Sequence, residues 1–188
     1  MIIAFGESVV AVGIGAADFA VTAGLVLAAT LTLVVLAGLW WCYFADDNDG
    51  KAERALAAVS PRRRARLSLL AFGHCYLPLL GGVIIFAAGV KKAVSQPLAA
   101  LSVAPAVAIG GGAALYLVGD MMLRRVLRLG PNLTRLAVAV LAAASCGVGV
   151  TVSAVGQLGV LAAVVTMLVI AERPVFRRGA ARFEESPS

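Results

Sequence analysis

Charged residues are scarce in this sequence. They make up 14% of its 188 residues, while hydrophobic residues make up 61%. A typical soluble domain carries roughly 25% charged residues, because it needs them to cover its surface. Metal-binding side chains are scarce as well, since there is one histidine and the three cysteines, Cys42, Cys75 and Cys146, lack metal-ligand spacing. We therefore expect no soluble fold, and we interpret the cysteines as small buried hydrophobic residues.

Recognisable catalytic motifs are also absent. The sequence contains no HExxH, CxxC or GxSxG pattern. The glycine triplet 110–112 follows no strand, so it does not have the context of a phosphate loop. We expect a protein that is not an enzyme and that carries no cofactor and no metal. The net charge of +6 is interpreted as a determinant of membrane topology and not as a nucleic-acid-binding surface.

The hydrophobic residues form blocks of about twenty, the length that a helix needs to cross a bilayer core of about 30 Å. Helices are favoured because lipid offers no partner to an open backbone N–H or C=O. The sequence predicts an all-α, polytopic helical membrane protein with about six transmembrane helices in a bundle over residues 1–172. A polar cytoplasmic tail, 173–188, is expected to be disordered. The predicted spans are 1–17, 19–44, 67–90, 98–123, 136–150 and 152–171.

Basic residues alternate between the two sides of this predicted bundle. Fourteen of the sixteen fall on one side, and only Lys91 and Lys92 fall on the other. By the positive-inside rule, the fourteen face the cytoplasm, together with both termini. We therefore expect a multi-pass membrane protein with both termini in the cytoplasm. The expected partners are the lipid bilayer and, at the basic cytoplasmic loops, anionic lipids. No nucleic-acid partner is expected.

Two ionisable residues stand out inside the apolar spans. Glu7, followed by Ser8, lies in the first span, where a carboxylate costs roughly 2.5–3.5 kcal/mol on insertion and should therefore face the bundle interior. His74, the only histidine, lies at a comparable depth in the third span, so the two are hypothesised to share a polar site. Glu7 could bind a proton, a cation or a substrate, or could only bond to another helix. His74 could relay protons or could only bond to a backbone carbonyl at the interface.

Asp120, near the end of the fourth span, is a weaker candidate, with Tyr116 one turn earlier on the same face. An ordinary i, i+4 pair with Arg124 is the simpler explanation of this acid. The glycines of the first and third spans indicate close helix packing, because small residues let helix backbones approach each other. They are Gly6, Gly13 and Gly15 in the first span and Gly73, Gly81, Gly82 and Gly89 in the third. Gly111 and Gly112 could instead permit a kink.

Several segments together resemble the bacterial low temperature requirement protein A family. Residues 2–13, IIAFGESVVAVG, look like that family's IIALGESIVAIG signature, and 40–44, WWCYF, look like its tryptophan–tyrosine element. His74 with Pro78, Gly82 and Gly89 is similar to the family's histidine helix. Residues 115–119, LYLVG, resemble a further element, after which the family often has a histidine where this chain has Asp120.

The resemblance covers the C-terminal half of the family, whose members are about twice as long. It implies a location in the bacterial cytoplasmic membrane and a truncated member, a half-length paralogue or a late start. A homo-oligomer or missing N-terminal helices are the partners that we expect besides lipid. The resemblance supplies no reaction. We expect an integral membrane protein with transport or channel-like activity and a buried acidic site at Glu7, Ser8 and His74. The alternative is a structural or lipid-interacting membrane protein without transport.

Overall fold

The computed structural model describes residues 5–6, 9–10, 13–14, 21–44, 73, 75–126 and 133–184, the last twelve of these for their backbone only. All secondary structure in these ranges is helical. The elements are α1 (Ala23–Phe44), α2 (Tyr76–Ser95), α3 (Val103–Val126), α4 (Leu133–Ala144), α5 (Cys146–Thr151) and α6 (Ala154–Glu184). Five segments of the described residues are long and apolar enough to cross a membrane, because α4 and α5 together form one span, Leu133–Thr151. The all-α membrane fold predicted from the sequence is confirmed.

Hydroxyl side chains begin two of the helices. Thr22 Oγ1 accepts a hydrogen bond from the backbone N–H of Leu25 at 3.3 Å, and Ser153 Oγ accepts one from Gly156 at 3.0 Å. Each hydroxyl thereby satisfies one of the backbone donors that a helix start leaves open. Ser153 also explains the short hairpin between the last two spans, since only residues 152 and 153 separate α5 from α6.

The helix bounds shift from the predicted spans where charged residues lie near an end. α2 continues past Lys91 and Lys92 to Ser95, and α3 includes Arg124 and ends at Val126. Long basic side chains can lie along the helix while the charged group reaches the interface, so they need not end a span. Most of the first predicted span lies outside the described residues, although 5–6, 9–10 and 13–14 are helical.

The tail expected to be disordered is helical as far as Glu184, as a continuation of α6. Adding residues to an existing helix avoids the cost of nucleation, which is the unfavourable step for a short isolated helix. The alanine, arginine and glutamate residues of this segment are also good helix formers. The expectation of disorder neglected the membrane-spanning helix that precedes the tail.

Glycines hold α2 and α3 in close contact. A Cβ added at Gly82 would lie 2.6 Å from the backbone nitrogen of Tyr116, and one at Gly112 would lie 2.5 Å from that of Phe86. Gly89 and Gly119 face the opposite backbone in the same way, each seven residues from its partner glycine. The predicted packing role is therefore confirmed for Gly82 and Gly89, whereas a Cβ at Gly6, Gly13 or Gly73 would meet no described atom within 4 Å. α3 runs without interruption through the glycine triplet.

The remaining spans surround this hairpin. α1 packs mainly on α6, while α3 packs on α4 as well as on α2. The span made of α4 and α5 is interrupted at Ser145, whose hydroxyl donates to the carbonyl of Ala142 at 2.6 Å. Gly110 of α3 lies directly against this interruption, because a Cβ there would meet the Ala142 carbonyl at 2.5 Å.

Five helix ends meet at one end of the bundle. They are the end of α1, the start of α2, the end of α3, the start of α4 and the end of the membrane-spanning part of α6. Hydrogen bonds link Tyr43 with Tyr76, and Arg135 with three other helices, at this end. At the opposite end, the loop 96–102 bonds to the α5–α6 turn, for example from Leu101 N–H to the Gly149 carbonyl at 2.8 Å. The spans therefore alternate in direction, as the sequence predicted.

Candidate functional site

Arg135, in the first turn of α4, is the centre of a buried polar site. Its side chain is 2% exposed. Its Nε and Nη2 donate to the two carboxylate oxygens of Glu172 at 2.9 and 2.7 Å. Its Nη1 and Nη2 donate to the Cys42 carbonyl at 3.3 and 3.2 Å, and Nη1 also donates to Asp120 Oδ2. A guanidinium has five N–H groups, so these five bonds use all of them.

The carbonyl of Cys42 belongs to the last turn of α1, where backbone carbonyls lack partners within the helix. The partial negative charge at a helix C-terminus favours a cation at this position. Arg135 therefore caps α1 while it binds acids on α3 and α6. One side chain ties four helices together, which only the planar, five-donor guanidinium can do at this site.

Asp120 is the most deeply buried charged residue of the site, with no exposed surface. Its Oδ2 accepts from Arg135, whereas its Oδ1 has no hydrogen-bond partner among the described residues. Arg124, the partner suggested by the sequence, is also buried and attracts the Asp120 carboxylate electrostatically. The hydrogen-bonded partner that the structure gives Asp120 lies on the next helix, so the simple i, i+4 explanation is incomplete.

Tyr116 lies one helical turn before Asp120 on α3 and is fully buried. Its hydroxyl donates to the Leu39 carbonyl of α1 at 3.0 Å, which satisfies the one polar group of this side chain. Its ring packs edge-to-face on Phe5, with centroids 5.9 Å apart. Phe5 belongs to the Phe-Gly-Glu-Ser segment that the sequence singled out, so the start of that segment lies beside α3.

We call Asp120, Arg135 and Glu172 the ionic cluster. Both its acids lie near ends of membrane-spanning helices, and Glu172 is 26% exposed. Two carboxylates share one guanidinium, and Arg124 adds a second cation that attracts Asp120. Buried ionisable groups in a bilayer are costly and face the bundle interior. The cluster therefore holds paired charges inside the membrane-spanning bundle.

Three of the predicted site residues, Glu7, Ser8 and His74, lie outside the described residues. Their proposed pairing stays a prediction. Asp120 and Tyr116, the two weaker candidates, lie on one face of α3 and both contact α1 or α4. Within the described ranges, no group of three His, Cys, Asp or Glu side chains is arranged to hold a metal ion.

Sequence reasoning missed the roles of Arg135 and Glu172. The sequence places Arg135 with the basic loop residues that set topology, and it places Glu172 just past the last predicted span, 152–171. The sequence does contain a usable signal. Arg135 begins an apolar helix, and two acids, Asp120 and Glu172, lie at the same predicted side of the bundle, near the ends of the fourth and sixth spans. Because a buried arginine needs partners, that pattern favours an interhelical pair.

A third buried polar residue, Gln157 of α6, also escaped notice. Its amide Nε2 donates to the Ala106 carbonyl of α3 at 2.8 Å. Its Oε1 lies so close to Gly149 that a Cβ at that position would overlap it. A lone glutamine in an apolar span is the sequence signal for such a contact. It fixes α6 against α3 near the end opposite the ionic cluster.

Comparison with known proteins identifies the family. The family described as bacterial low temperature requirement A protein matches residues 1–170, and the chain belongs to it. The chain is also similar to an uncharacterized protein of Rhizobium meliloti (strain 1021), with 30% identity over 126 residues. That match covers 67% of this chain and 30% of the relative. No solved structure matches the chain.

Proposed function

We propose that this member of the low temperature requirement A family is a transport or channel-like protein that moves an ion across the membrane. The observation that carries the proposal is the complete burial of Asp120 together with Arg135 among the membrane-spanning helices. Ionisable groups are rare in spans because of their cost, and where they occur they mark ion and substrate pathways by default. We also propose a non-enzymatic role, because the sequence contains no HExxH, CxxC or GxSxG pattern.

Glu7, Ser8 and His74 belong to the same proposed pathway. The support is indirect: Phe5, two residues before Glu7, packs on Tyr116, one helical turn from Asp120. A pathway that used both acids would bring Glu7 and Asp120 to neighbouring positions in the bundle. Charge-neutral variants at the two positions should then affect the same flux.

The experiment is an ion-flux assay with the purified full chain in liposomes. The probes are protons, followed with an entrapped pH-sensitive dye, and then potassium and sodium ions. The wild type should carry flux of at least one probe, and Asp120→Asn and Glu7→Gln should each lower it. The matched control is Thr30→Val, which removes an exposed hydroxyl that bonds only within its own helix. Flux that is absent in the wild type, or unchanged in both acid variants, would overturn the proposal.

A second candidate function is structural, and the five hydrogen bonds of Arg135 favour it. A guanidinium whose donors are all used, joining α1, α3, α4 and α6, stabilises the bundle without needing to bind any ligand. On this alternative the protein is a structural or lipid-interacting membrane protein. Its variants at Asp120 would then lose thermal stability, while liposomes containing the wild type would show no flux of any probe.

We further propose that the end carrying the ionic cluster faces the cytoplasm of the bacterial cell, with both termini on that side. The support is the distribution of charge, since Arg124, Arg125 and Arg135 lie at this end and Lys91 and Lys92 lie near the other. Positive residues are retained on the cytoplasmic side during insertion. A reporter fused after Lys92 should report a periplasmic location, and cytoplasmic activity there would refute this orientation.

The bilayer is the immediate partner of the exposed apolar surface, and anionic lipids are proposed to bind at the basic end. We also propose that the protein forms a homo-oligomer. Only part of the curated relative's length corresponds to this chain. Cross-linking in native membranes, followed by mass determination, would separate a single copy from an oligomer.

A further inference from the structure

The two carboxylate oxygens of Asp120 have different surroundings. Oδ2 bonds to Arg135, while Oδ1 has no hydrogen-bond partner among the described residues, and the whole side chain is inaccessible to solvent. A buried oxygen of a charged carboxylate that lacks a donor is destabilising, because no protein hydrogen bond replaces the hydration that the oxygen loses. Most buried polar atoms in folded proteins do have a partner, so this one needs an explanation.

Two of the neighbouring donors are already committed. All five N–H groups of Arg135 are used by Glu172, Cys42 and Oδ2 itself. The hydroxyl proton of Tyr116 goes to the Leu39 carbonyl at 3.0 Å. Neither side chain can turn towards Oδ1 without breaking a bond that joins two helices. Arg124 attracts the carboxylate electrostatically but makes no hydrogen bond to Oδ1. The oxygen is therefore available to a species that enters the site.

We propose that Asp120 Oδ1 takes up and releases a proton while Oδ2 stays bonded to Arg135. In this step an O–H bond forms at Oδ1, an O–H bond of an entering hydronium ion breaks, and water leaves. The carboxyl changes from charge −1 to neutral, and no redox partner is needed. A neutral oxygen costs far less to bury than a charged one, so proton binding relieves the unpaired atom.

A proton suits this position better than a metal cation. No group of three potential ligand side chains is arranged around a metal position in the described residues. A cation at Oδ1 would also lie close to the guanidinium of Arg135, whereas a proton needs no extra space. The ionisable groups that interact with Asp120 or with Arg135 are those of α1, α3, α4 and α6, namely Cys42, Tyr116, Arg124, Arg135 and Glu172.

This inference deepens the proposed function, because it names the proton as the ion that is moved. It rests on the proposed function only for the biological use of the site. The proton exchange itself is a property of one side chain. It can be measured without any transport assay, so the two proposals can fail separately.

The test is infrared difference spectroscopy of the purified full chain in lipid, between neutral and acidic buffer. Protonation of a buried carboxylate creates a carbonyl stretch at higher frequency than that of a solvent-exposed carboxyl group. The wild type should gain such a band on acidification, and Asp120→Asn should lack it entirely. Thr30→Val, the matched control, should keep it. Because Asp120→Asn could weaken folding, Asp120→Glu serves as a second variant, in which the band should persist at a shifted frequency.

A wild type without a pH-dependent band overturns the inference, and this includes the case in which Oδ1 binds only a water molecule. A band that is unchanged in both Asp120→Asn and Asp120→Glu also overturns it, since another carboxyl would then be its source. A band assigned to Asp120 in protein that carries no flux in liposomes supports the inference and refutes the proposed transport function. Helical content, followed by circular dichroism, should match the wild type in each variant used.

Discussion

The contact between α2 and α3 gives the most quantitative prediction, at Gly82. Replacing it by alanine would place a Cβ 2.6 Å from the backbone nitrogen of Tyr116, 2.7 Å from the Gly112 carbonyl oxygen and 2.9 Å from the Tyr116 Cα. All three opposing atoms are backbone, so no side chain can rotate away. The helices must separate by roughly 0.8 Å to restore the 3.4 Å of an ordinary contact.

The magnitude follows from this separation. A gap of 0.5–1 Å loses about a quarter to a half of the dispersion energy along the contact, and overpacking costs about 1–3 kcal/mol in well-packed interiors. We expect Gly82→Ala to lower the free energy of unfolding by about 3 kcal/mol, because the loss extends along the hairpin. The higher helix propensity of alanine, worth up to about 1 kcal/mol, offsets only part of this loss.

The assay is reversible unfolding of the purified protein by a denaturing detergent, followed through helical circular dichroism. The matched control is Gly81→Ala, one residue earlier, where the added Cβ would meet only Leu115 Cδ2 at 3.9 Å. That variant should be neutral or more stable by up to about 1 kcal/mol. The packing argument is refuted if Gly82→Ala is as stable as Gly81→Ala.

Three further predictions use the same unfolding assay. Arg135→Gln should lower the free energy of unfolding by about 3–5 kcal/mol, because it leaves buried acids without their cation. Arg125→Gln, at an exposed position, should change it by less than about 0.5 kcal/mol. Equal effects of the two substitutions would contradict the role of Arg135. Tyr116→Phe should lower the free energy of unfolding by about 1 kcal/mol, because it loses the hydrogen bond to the α1 backbone. A variant more stable than the wild type would contradict that bond. Gly149→Ala should be strongly destabilising in the wild type but much less so in a Gln157→Ala background, because the new Cβ meets the amide oxygen of Gln157. Additive effects of the two substitutions would argue against this contact.

The sequence predicted the helical membrane fold because span length and apolar composition are local properties of the chain. It also predicted that glycines of the first and third spans pack closely against other helices. It did not reveal which glycines do so: Gly81 and Gly82 are adjacent, yet only Gly82 faces α3 at close range. That difference depends on the rotation of α2 about its axis, which a composition argument cannot supply.

The site was less predictable than the fold. Asp120 and Tyr116 were recognised as candidates because acids and phenols are unusual inside apolar spans. Arg135 is the last residue of the basic loop predicted from Arg124, so the sequence alone assigns it to the residues that set topology. The end of the last predicted span was placed at residue 171, so Glu172 was treated as the start of the tail and not as a partner. The sequence-based hypothesis on Glu7, Ser8 and His74 remains a prediction, as these residues lie outside the described ranges.

The sequence by itself determined that this chain is a multi-pass helical membrane protein, that its spans alternate in direction, and that it belongs to its family. These properties follow from hydrophobic length, charge distribution and local motifs. Only the tertiary structure decided which charges meet, since Arg135 binds groups 15, 37 and 93 residues away in the chain. The physical reason is that the bilayer fixes each helix across the membrane, whereas helix rotation and packing select its neighbours.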